Sequence, residues 1–390
     1  MIFDIRLSLE AASTGDYPAL FFRDAVTQAL DQGSHYAKWL PPMNRDSLGV
    51  WLAGNAWGNQ METVRWQEAL IMDLARGNLL FPQIWGDLQN LEERDVAFLA
   101  RIQALVKQNE QVLLSRRHSI GDPWKNEIYG YSYFDGGHGF IFLNNVSFGC
   151  RKAVLKLDES IGLRDHRSLP VRLLTHYPEV AELTRHGSPE CRIGSEVQIQ
   201  LRPFEVMMIE VQPRKESHGS LLASREMIES SPIFSYPLTA NRIPEVAELE
   251  IEFADAEKLA GEGLDKRNFA FRATLPDYSG ARYHLAIVNT FKIGDRWWRQ
   301  KQMSEFVQAI AKVDDFVVEF TSTPDFRQKS NNQWCPWIVF SCPLPRSFAQ
   351  KQIQFAISSY LPAAVDVTTD LWLVREWWPK RLRSLPNYWV

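Results

Sequence analysis

Cysteine is scarce in this chain. There are four in 390 residues, Cys150, Cys191, Cys335 and Cys342. None falls in a CxxC spacing or beside clustered histidines, which excludes the common structural zinc frameworks, and no metal or other cofactor is expected. Cys335 and Cys342 are close enough in sequence to bridge a short hairpin, and Cys150 and Cys191 share one β-rich stretch. Without a secretory context, buried thiols are the expected state. An excess of one charge is also lacking. Forty-three Lys and Arg stand against 47 Asp and Glu, a net charge of −4 that gives no reason to expect nucleic acid or an anionic membrane as partner. No apolar run approaches the roughly 20 residues of a membrane span. Met1-Ile2-Phe3-Asp4-Ile5-Arg6 carries charge where a secretory leader needs an apolar core, so no signal peptide is expected and the chain as it stands reads as cytoplasmic. His35, His118 and His138 stand apart, with no Ser or Cys in a recognisable nucleophile context, which argues against a hydrolase triad. Internal repeats and low-complexity tracts are absent.

What the chain has in quantity is aromatic residues. Fourteen tryptophans accompany 45% hydrophobic and 23% charged residues, an ordinary globular composition for two or three domains. Tryptophan suits platforms that stack on sugar rings, and it equally suits β-rich cores.

Read in order, the chain opens with a strand-like run over Met1 to Leu9 and a loop, Ser13-Thr14-Gly15-Asp16. Pro18 then stands in the first turn of a helix to about Asp31, with Leu20, Phe21, Ala25, Val26 and Leu30 on one face. Ser47 to Ala53 reads as a strand, Glu62 to Ala75 as a helix, and Asn78 to Trp85 as another apolar strand. Asp87 or Asn90 can cap a helix carrying Val96, Leu99, Ile102, Leu105 and Val106 at helical spacing through about Leu114. The period then changes. Glu127 to Tyr133 and Gly139 to Asn145 read as strands joined by Phe134-Asp135-Gly136-Gly137-His138. That Gly-rich turn does not precede a helix, so it is no phosphate cradle. Alternation continues through Ala153–Leu157, Glu196–Leu201 and Glu205–Val211, which predicts a β-sandwich. Residues 214–231 are polar and read as a linker. A third region, 232–390, is again strand-rich, with expected strands over Ala247–Phe253, Asn268–Leu275, Arg282–Asn289, Asp315–Thr321, Trp337–Ser341 and Gln352–Ser358.

The passage made of a long helix, Gly121-Asp122-Pro123, Tyr129-Gly130-Tyr131 and Gly139 to Asn145 resembles a junction in retaining glycoside hydrolases of the α-galactosidase type (clan D and the relatives of family thirty-six). There a final barrel strand and helix hand over to a C-terminal β-sandwich. The resemblance spans roughly residues 15 to 212 and rests on architecture rather than on a catalytic signature. It implies α/β plus all-β architecture: a partial (β/α)8 barrel over 1–120, an antiparallel sandwich over 121–213, the linker, and an accessory β-rich sandwich over 232–390. A complete barrel takes about 250 residues. The expectation is therefore a chain lacking the front of the barrel, inactive alone, and prone to self-association or to pairing with a missing barrel half.

Retaining glycosidases use two carboxylates about 5 Å apart, a nucleophile and a general acid/base. Barrel active sites sit at the C-terminal ends of the strands. The resemblance makes Asp16 the candidate acid/base and Asp4 its rival, and it places the nucleophile strand before Met1. Asp16 or Thr14 is equally suited to cap the following helix. Trp51, Asn55, Trp57, Trp85 and Asp87 would line the strand ends, with Trp57 and Trp85 stacking on a sugar and Asn55 binding a hydroxyl. Core packing, a turn and a helix cap explain the same residues without a ligand. The implied partner is a carbohydrate. The implied activity is that of a glycoside hydrolase acting on α-linked sugars, and the alternative is a non-catalytic carbohydrate-binding or interaction protein of the same architecture.

Overall fold

The computed structural model describes residues 2–4, 45–47, 50–51, 66–77, 84–85, 91–121, 127–145, 149–164, 169–189, 191–214, 222–229, 235–244, 249–278, 283–298, 303–318, 320–323 and 337–375. They form two compact units, with described residues through Glu229 in the first and those from Ser235 in the second.

The first unit begins with four short strands, β1 (Ile2–Asp4), β2 (Arg45–Ser47), β3 (Val50–Trp51) and β4 (Ile84–Trp85). β1 pairs in parallel with β2, and β3 in parallel with β4. Helix α1 (Trp66–Arg76) lies between β3 and β4 in the chain, so strand, helix and parallel strand make one crossover unit. Among the described residues these strands form two separate two-stranded sheets and no closed barrel. The expected partial barrel thus extends no further here than two parallel pairs. Every described side chain of α1 is buried, including Gln67, Glu68, Asp73 and Arg76, as befits a helix covered on all sides.

Helix α2 (Glu93–Gln108) starts later than expected. Its N-cap is Glu92, whose backbone N–H donates to Asp95 Oδ2 at 3.1 Å. Asp87 and Asn90, the expected caps, lie outside the described residues. Asn109, at φ −117° and ψ 23°, ends α2, and a single turn, α3 (Glu110–Leu113), follows in place of one continuous helix to Leu114. Of the expected apolar face, Ile102 and Val106 are buried, whereas Val96 is 54% exposed.

Ten strands follow: β5 (His118–Ile120), β6 (Tyr129–Asp135), β7 (His138–Asn144), β8 (Arg151–Lys156), β9 (Pro170–Tyr177), β10 (Ala181–Thr184), β11 (Cys191–Arg192), β12 (Glu196–Leu201), β13 (Val206–Pro213) and β14 (Ala223–Glu226). The large sheet runs β14-β10-β9-β13-β7-β6-β5, with β11 added on β9, while β8 and β12 pair only with each other. All these pairings are antiparallel except β10 with β14. Ile141, Leu143, Leu173 and Ile209 of the large sheet share one core with Leu155, Val197 and Ile199 of the pair, which makes the sandwich. On the opposite face, Tyr129, Tyr131, Tyr133, Phe140, Phe142 and Met208 pack with Ile71, Leu74, Ile102 and Val106 of the helices. Period-two alternation thus sends aliphatics into the sandwich and aromatics toward the helices. Residues 214–231, a linker by composition, supply β14.

Packing explains the residues that carry the family resemblance. A Cβ on Gly130 would lie 1.8 Å from the Phe142 carbonyl oxygen, so no other residue fits between the two tyrosines. Asn145 donates from Nδ2 to the carbonyls of Gly149 and Arg202, both at 2.8 Å, and tethers the chain as it leaves β7.

The second unit contains β15 (Ser235–Pro237), β16 (Ala240–Ile243), β17 (Asp265–Thr274), β18 (Tyr283–Ile293), β19 (Arg296–Trp297), β20 (Val307–Val313), β21 (Phe316–Val318), β22 (Thr321–Thr323), β23 (Trp337–Leu344), β24 (Gln352–Leu361) and β25 (Asp366–Arg375), with short helices α4 (Ala256–Gly261) and α5 (Met303–Phe306). One sheet runs β15-β25-β18-β23-β22 with β19 on β18; the other runs β16-β17-β24-β20-β21. Their inner faces share a core that includes Leu285, Ile287, Phe291, Phe355, Ile357 and Leu373. This is a second sandwich. Of the expected strand Ala247–Phe253, the described residues 249–253 form none: Leu249, Ile251 and Phe253 are buried at alternate positions, yet they join no described ladder and lead into α4. Cys191 and Cys342 are buried free thiols, and Cys335 lies outside the described residues. Burial pushes the Cys342 thiol up to about 12, against a weaker opposing pull from its hydrogen bond with the Leu285 backbone.

Candidate functional site

Asp16, Asn55, Trp57 and Asp87 lie outside the described residues. Asp4, Trp51 and Trp85 lie on described strands, and their backbone positions agree in one respect. Each is the last residue of a strand in a parallel pair: Asp4 of β1, Trp51 of β3 and Trp85 of β4. Trp51 and Trp85 are direct register partners. The C-terminal ends of parallel strands are where α/β folds place their ligands, because the connecting loops leave the sheet there. The crossover that brings the two tryptophans together contains α1, and α1 is held from the sandwich side. Tyr133 Oη donates to the Ala75 carbonyl at 2.8 Å, and Arg117 donates to the Arg76 carbonyl at 2.8 Å. Both acceptors belong to the last turn of α1, where carbonyls lack intrahelical partners. The Arg117 guanidinium also lies over the Tyr131 ring, 4.5 Å from its centroid.

Further along the helix-facing side of the large sheet is a polar cluster that no sequence spacing announces. Glu210 of β13 receives His138 of β7 on Oε1 at 2.7 Å and His176 of β9 on Oε2 at 2.8 Å. The β9–β13 ladder pairs Met208 with Tyr177 and Ile209 with Thr175, leaving His176 at a bulge. Such a bulge re-aims a side chain. Phe140 flanks both imidazoles, with centroids at 5.9 and 6.4 Å. Burial alone would raise the Glu210 pKa, but hydrogen bonds from His138, His176 and Gln212 outweigh it and hold the carboxyl at about 2. Both carboxylate oxygens are engaged and the group stays ionised, so Glu210 is a poor proton donor. It is a bracket between strands rather than a general acid.

A second charged cluster joins β13 to β14. Arg225 grips the fully buried Glu205 with two bonds, at 2.8 and 3.0 Å, and reaches Glu179 at 2.9 Å. Arg202 donates its backbone N–H to Glu205 at 2.7 Å and its guanidinium to Glu229 at 2.7 Å. Burial favours the neutral form of Arg225, but the surrounding carboxylates of Glu205, Glu179 and Glu229 prevail and raise its pKa above the ordinary value. The network ties the last strand of the first unit to its sheet. Among the described residues no group of three or more His, Cys, Asp or Glu is placed to hold a metal ion, and no helix is long and apolar enough to cross a membrane.

Neither a protein-family model nor a curated protein matches the chain. Similar solved structures include a candidate α-N-acetylgalactosaminidase from Bacillus halodurans C-125, at 13% identity and a TM-score of 0.34, covering 52% of this chain and 46% of that one. BuGH86 in complex with neoagarooctaose is similar at 12% identity and a TM-score of 0.22, covering 64% of this chain and 34% of that one. BpGH86A, a β-porphyranase of glycoside hydrolase family 86 from the human gut bacterium Bacteroides plebeius, is similar at 11% identity and a TM-score of 0.21, covering 93% and 54%. The chain spans about half or less of the length of these structures. All three are glycoside hydrolases in kind. At TM-scores this low the likeness transfers no residue's role.

Proposed function

We propose that the chain is a carbohydrate-handling protein of the glycoside hydrolase kind, with α-galactosidase-type architecture, and that its sugar lies at the C-terminal ends of β1, β3 and β4. The observation that carries this reading is the parallel register of β3 with β4 across α1, which makes Trp51 and Trp85 neighbours at the strand ends. The junction motif supports the same architecture, because its helices and aromatic hairpin pack as one core. On this reading Trp51, Trp57 and Trp85 stack on the sugar, and Asn55 and Asp87 bind hydroxyls. Asp16 is the general acid/base and Asp4 its rival, beside a nucleophile not assigned to any residue.

A second reading, carbohydrate binding without catalysis, is favoured by one observation. Glu205 and Glu210, two buried carboxylates of the sandwich, are both engaged in bracing strands. One experiment separates the two. Purified protein is titrated with galactose and N-acetylgalactosamine and assayed on aryl α-galactosides, alongside Trp51→Ala, Trp85→Ala, Asp16→Asn and Asp4→Asn. Hydrolysis abolished by Asp16→Asn or Asp4→Asn supports the enzyme. Binding weakened about tenfold by Trp51→Ala without hydrolysis supports the second reading. Sugar binding indifferent to Trp51→Ala and Trp85→Ala would sink both.

A further inference from the structure

The run Arg116-Arg117-His118 carries three basic residues into β5, the strand at one end of the large sheet. They do not share a face. Arg117 turns to the helix side, where the Arg76 carbonyl and the Tyr131 ring take its guanidinium. His118 lies on the sandwich side with Ile120, whose side chain enters that core. Its ladder partner, Ser132, donates to the Ile161 carbonyl at 2.7 Å, which holds the turn Glu159–Ile161 against the sheet. The His118 ring rests on the residue after that turn, Gly162. A Cβ at Gly162 would lie 2.5 Å from His118 Cδ2, and the backbone there has φ +88°, so space and conformation both demand glycine. The imidazole thus has a fixed seat between the strand edge and the turn.

Two arginines flank that seat. Arg116 stands two residues before His118, Arg164 two residues after Gly162, and both are exposed. Arg116, His118 and Arg164 have no hydrogen bond or ion pair among the described residues. The carboxylates at the same turn do not supply one. Asp158 is taken by Lys156 and by the Ser160 N–H, each at 2.9 Å, and Glu159 is exposed. Burial, and then the charges of Arg116 and Arg164, push the His118 pKa below its ordinary value. Both guanidinium groups are therefore near enough to oppose a charge on the imidazole, and no described carboxylate offsets them.

Positive charge gathered without a counter-charge is unfavourable, and a bound anion reverses the sign of the interaction. Guanidinium forks match the paired oxygens of a carboxylate, phosphate or sulfate. A neutral ligand would leave the two arginines unpaired. Three basic groups on a chain of net charge −4 are too few to hold a nucleic acid or a membrane surface. We propose that Arg116, His118 and Arg164 bind one oxyanion group of a small ligand, the guanidinium groups reaching it from β5 and from the turn and the imidazole from between them. This site stands independently of the sugar reading. An anion favours the charged imidazole, so binding tightens as pH falls through the His118 titration and weakens above it.

The test is a proton NMR titration of His118 in the full chain, its ring signal assigned with His118→Gln. Sodium sulfate raises the His118 pKa, and sodium chloride at equal ionic strength, which only screens the arginines, raises it less. Arg116→Gln or Arg164→Gln weakens sulfate about three- to fivefold, and the double variant abolishes the difference between the two salts. Both side chains are exposed, so the fold is retained, as circular dichroism checks. Sulfate affinity measured by calorimetry falls between about pH 5.5 and pH 8, and His118→Gln removes that dependence. Inorganic phosphate and glucuronate identify the ligand: glucuronate matching sulfate points to a carboxylated molecule, and an effect of sulfate and phosphate alone to a tetrahedral group. Either supports the site. Equal shifts from sulfate and chloride, or a sulfate effect that survives the double variant, overturn it.

Discussion

Arg225→Met tests how far the first unit depends on one buried cation. The Glu205 side chain is 0% exposed and that of Arg225 5%. Removing the guanidinium strips Glu205 of two bonds and leaves it the backbone N–H of Arg202, with the Arg202 guanidinium 3.9 Å away. Breaking a buried pair by removing one partner costs about 3–5 kcal/mol, chiefly because the other charge stays buried. Arg202 can move closer, so the lower end, about 3 kcal/mol, is expected. At ~2–4 °C per kcal/mol for a unit of this size, the melting temperature falls by roughly 6–12 °C. The decisive comparison is Arg225→Met with Glu205→Leu. With both charges gone neither member of the buried pair is left as a lone charge; the Arg202 N–H loses its carboxylate acceptor, so stability recovers most of the way toward the parent. Urea and thermal unfolding followed by circular dichroism supply both numbers. A single variant within about 0.5 kcal/mol of the parent, or a double variant as unstable as the single, refutes the reasoning.

Other perturbations follow from the same sheet. Glu210 has its pKa lowered from 4.5 to about 2, so its contribution is fully present above pH 4.5 and is lost as pH falls toward 2. The interval is worth about 3 kcal/mol, and Glu210→Gln should flatten the acid limb of a stability–pH profile; an unchanged limb counts against the bracket. Gly130→Ala forces β6 and β7 apart at the Phe142 carbonyl and should cost several kcal/mol in the order of an overpacked core, about 1–3 or more. Wild-type unfolding midpoints for Gly130→Ala would show that the hairpin yields more readily than its geometry implies.

The parts of the fold legible in the sequence are those with one buried face. Glu196–Leu201 alternates cleanly, and β12 has those same bounds, because its odd-numbered side chains enter the core and the others face outward. β9 gives no such signal. Leu173 and Leu174 are both buried since the sheet is covered on both faces there, and the bulge at His176 interrupts the period. Leu249, Ile251 and Phe253 mislead in the opposite direction: they alternate and are buried, yet no described strand pairs with them. The His138–Glu210–His176 cluster is assembled across separations of 72 and 34 residues, which only strand order brings together. Of the candidate site, the sequence contained strand ends and tryptophans. Their register as neighbours comes from a crossover that no local pattern encodes.

That crossover is positioned by the sandwich, and this coupling has a measurable consequence. α1 ends against Tyr133 and Arg117, whose donors occupy the carbonyls of Ala75 and Arg76. A cation at a helix C-terminus also favours the helix dipole, by about 0.3–1 kcal/mol. Arg117→Met removes the hydrogen bond, the charge and the contact with the Tyr131 ring, together about 1–3 kcal/mol, while leaving the sandwich core intact. The loss should therefore be local. Hydrogen exchange of backbone amides in residues 66–76 should quicken by about tenfold or more, while 151–156 and 196–201 keep their protection. Any sugar affinity that depends on Trp51 and Trp85 should weaken with it, because the helix joining their strands has lost its anchor. Exchange that quickens uniformly would mean that the two parts unfold as one. Exchange that does not change in 66–76 would mean that the capping bonds do not hold the crossover, and that the strand ends owe their register to something other than the sandwich.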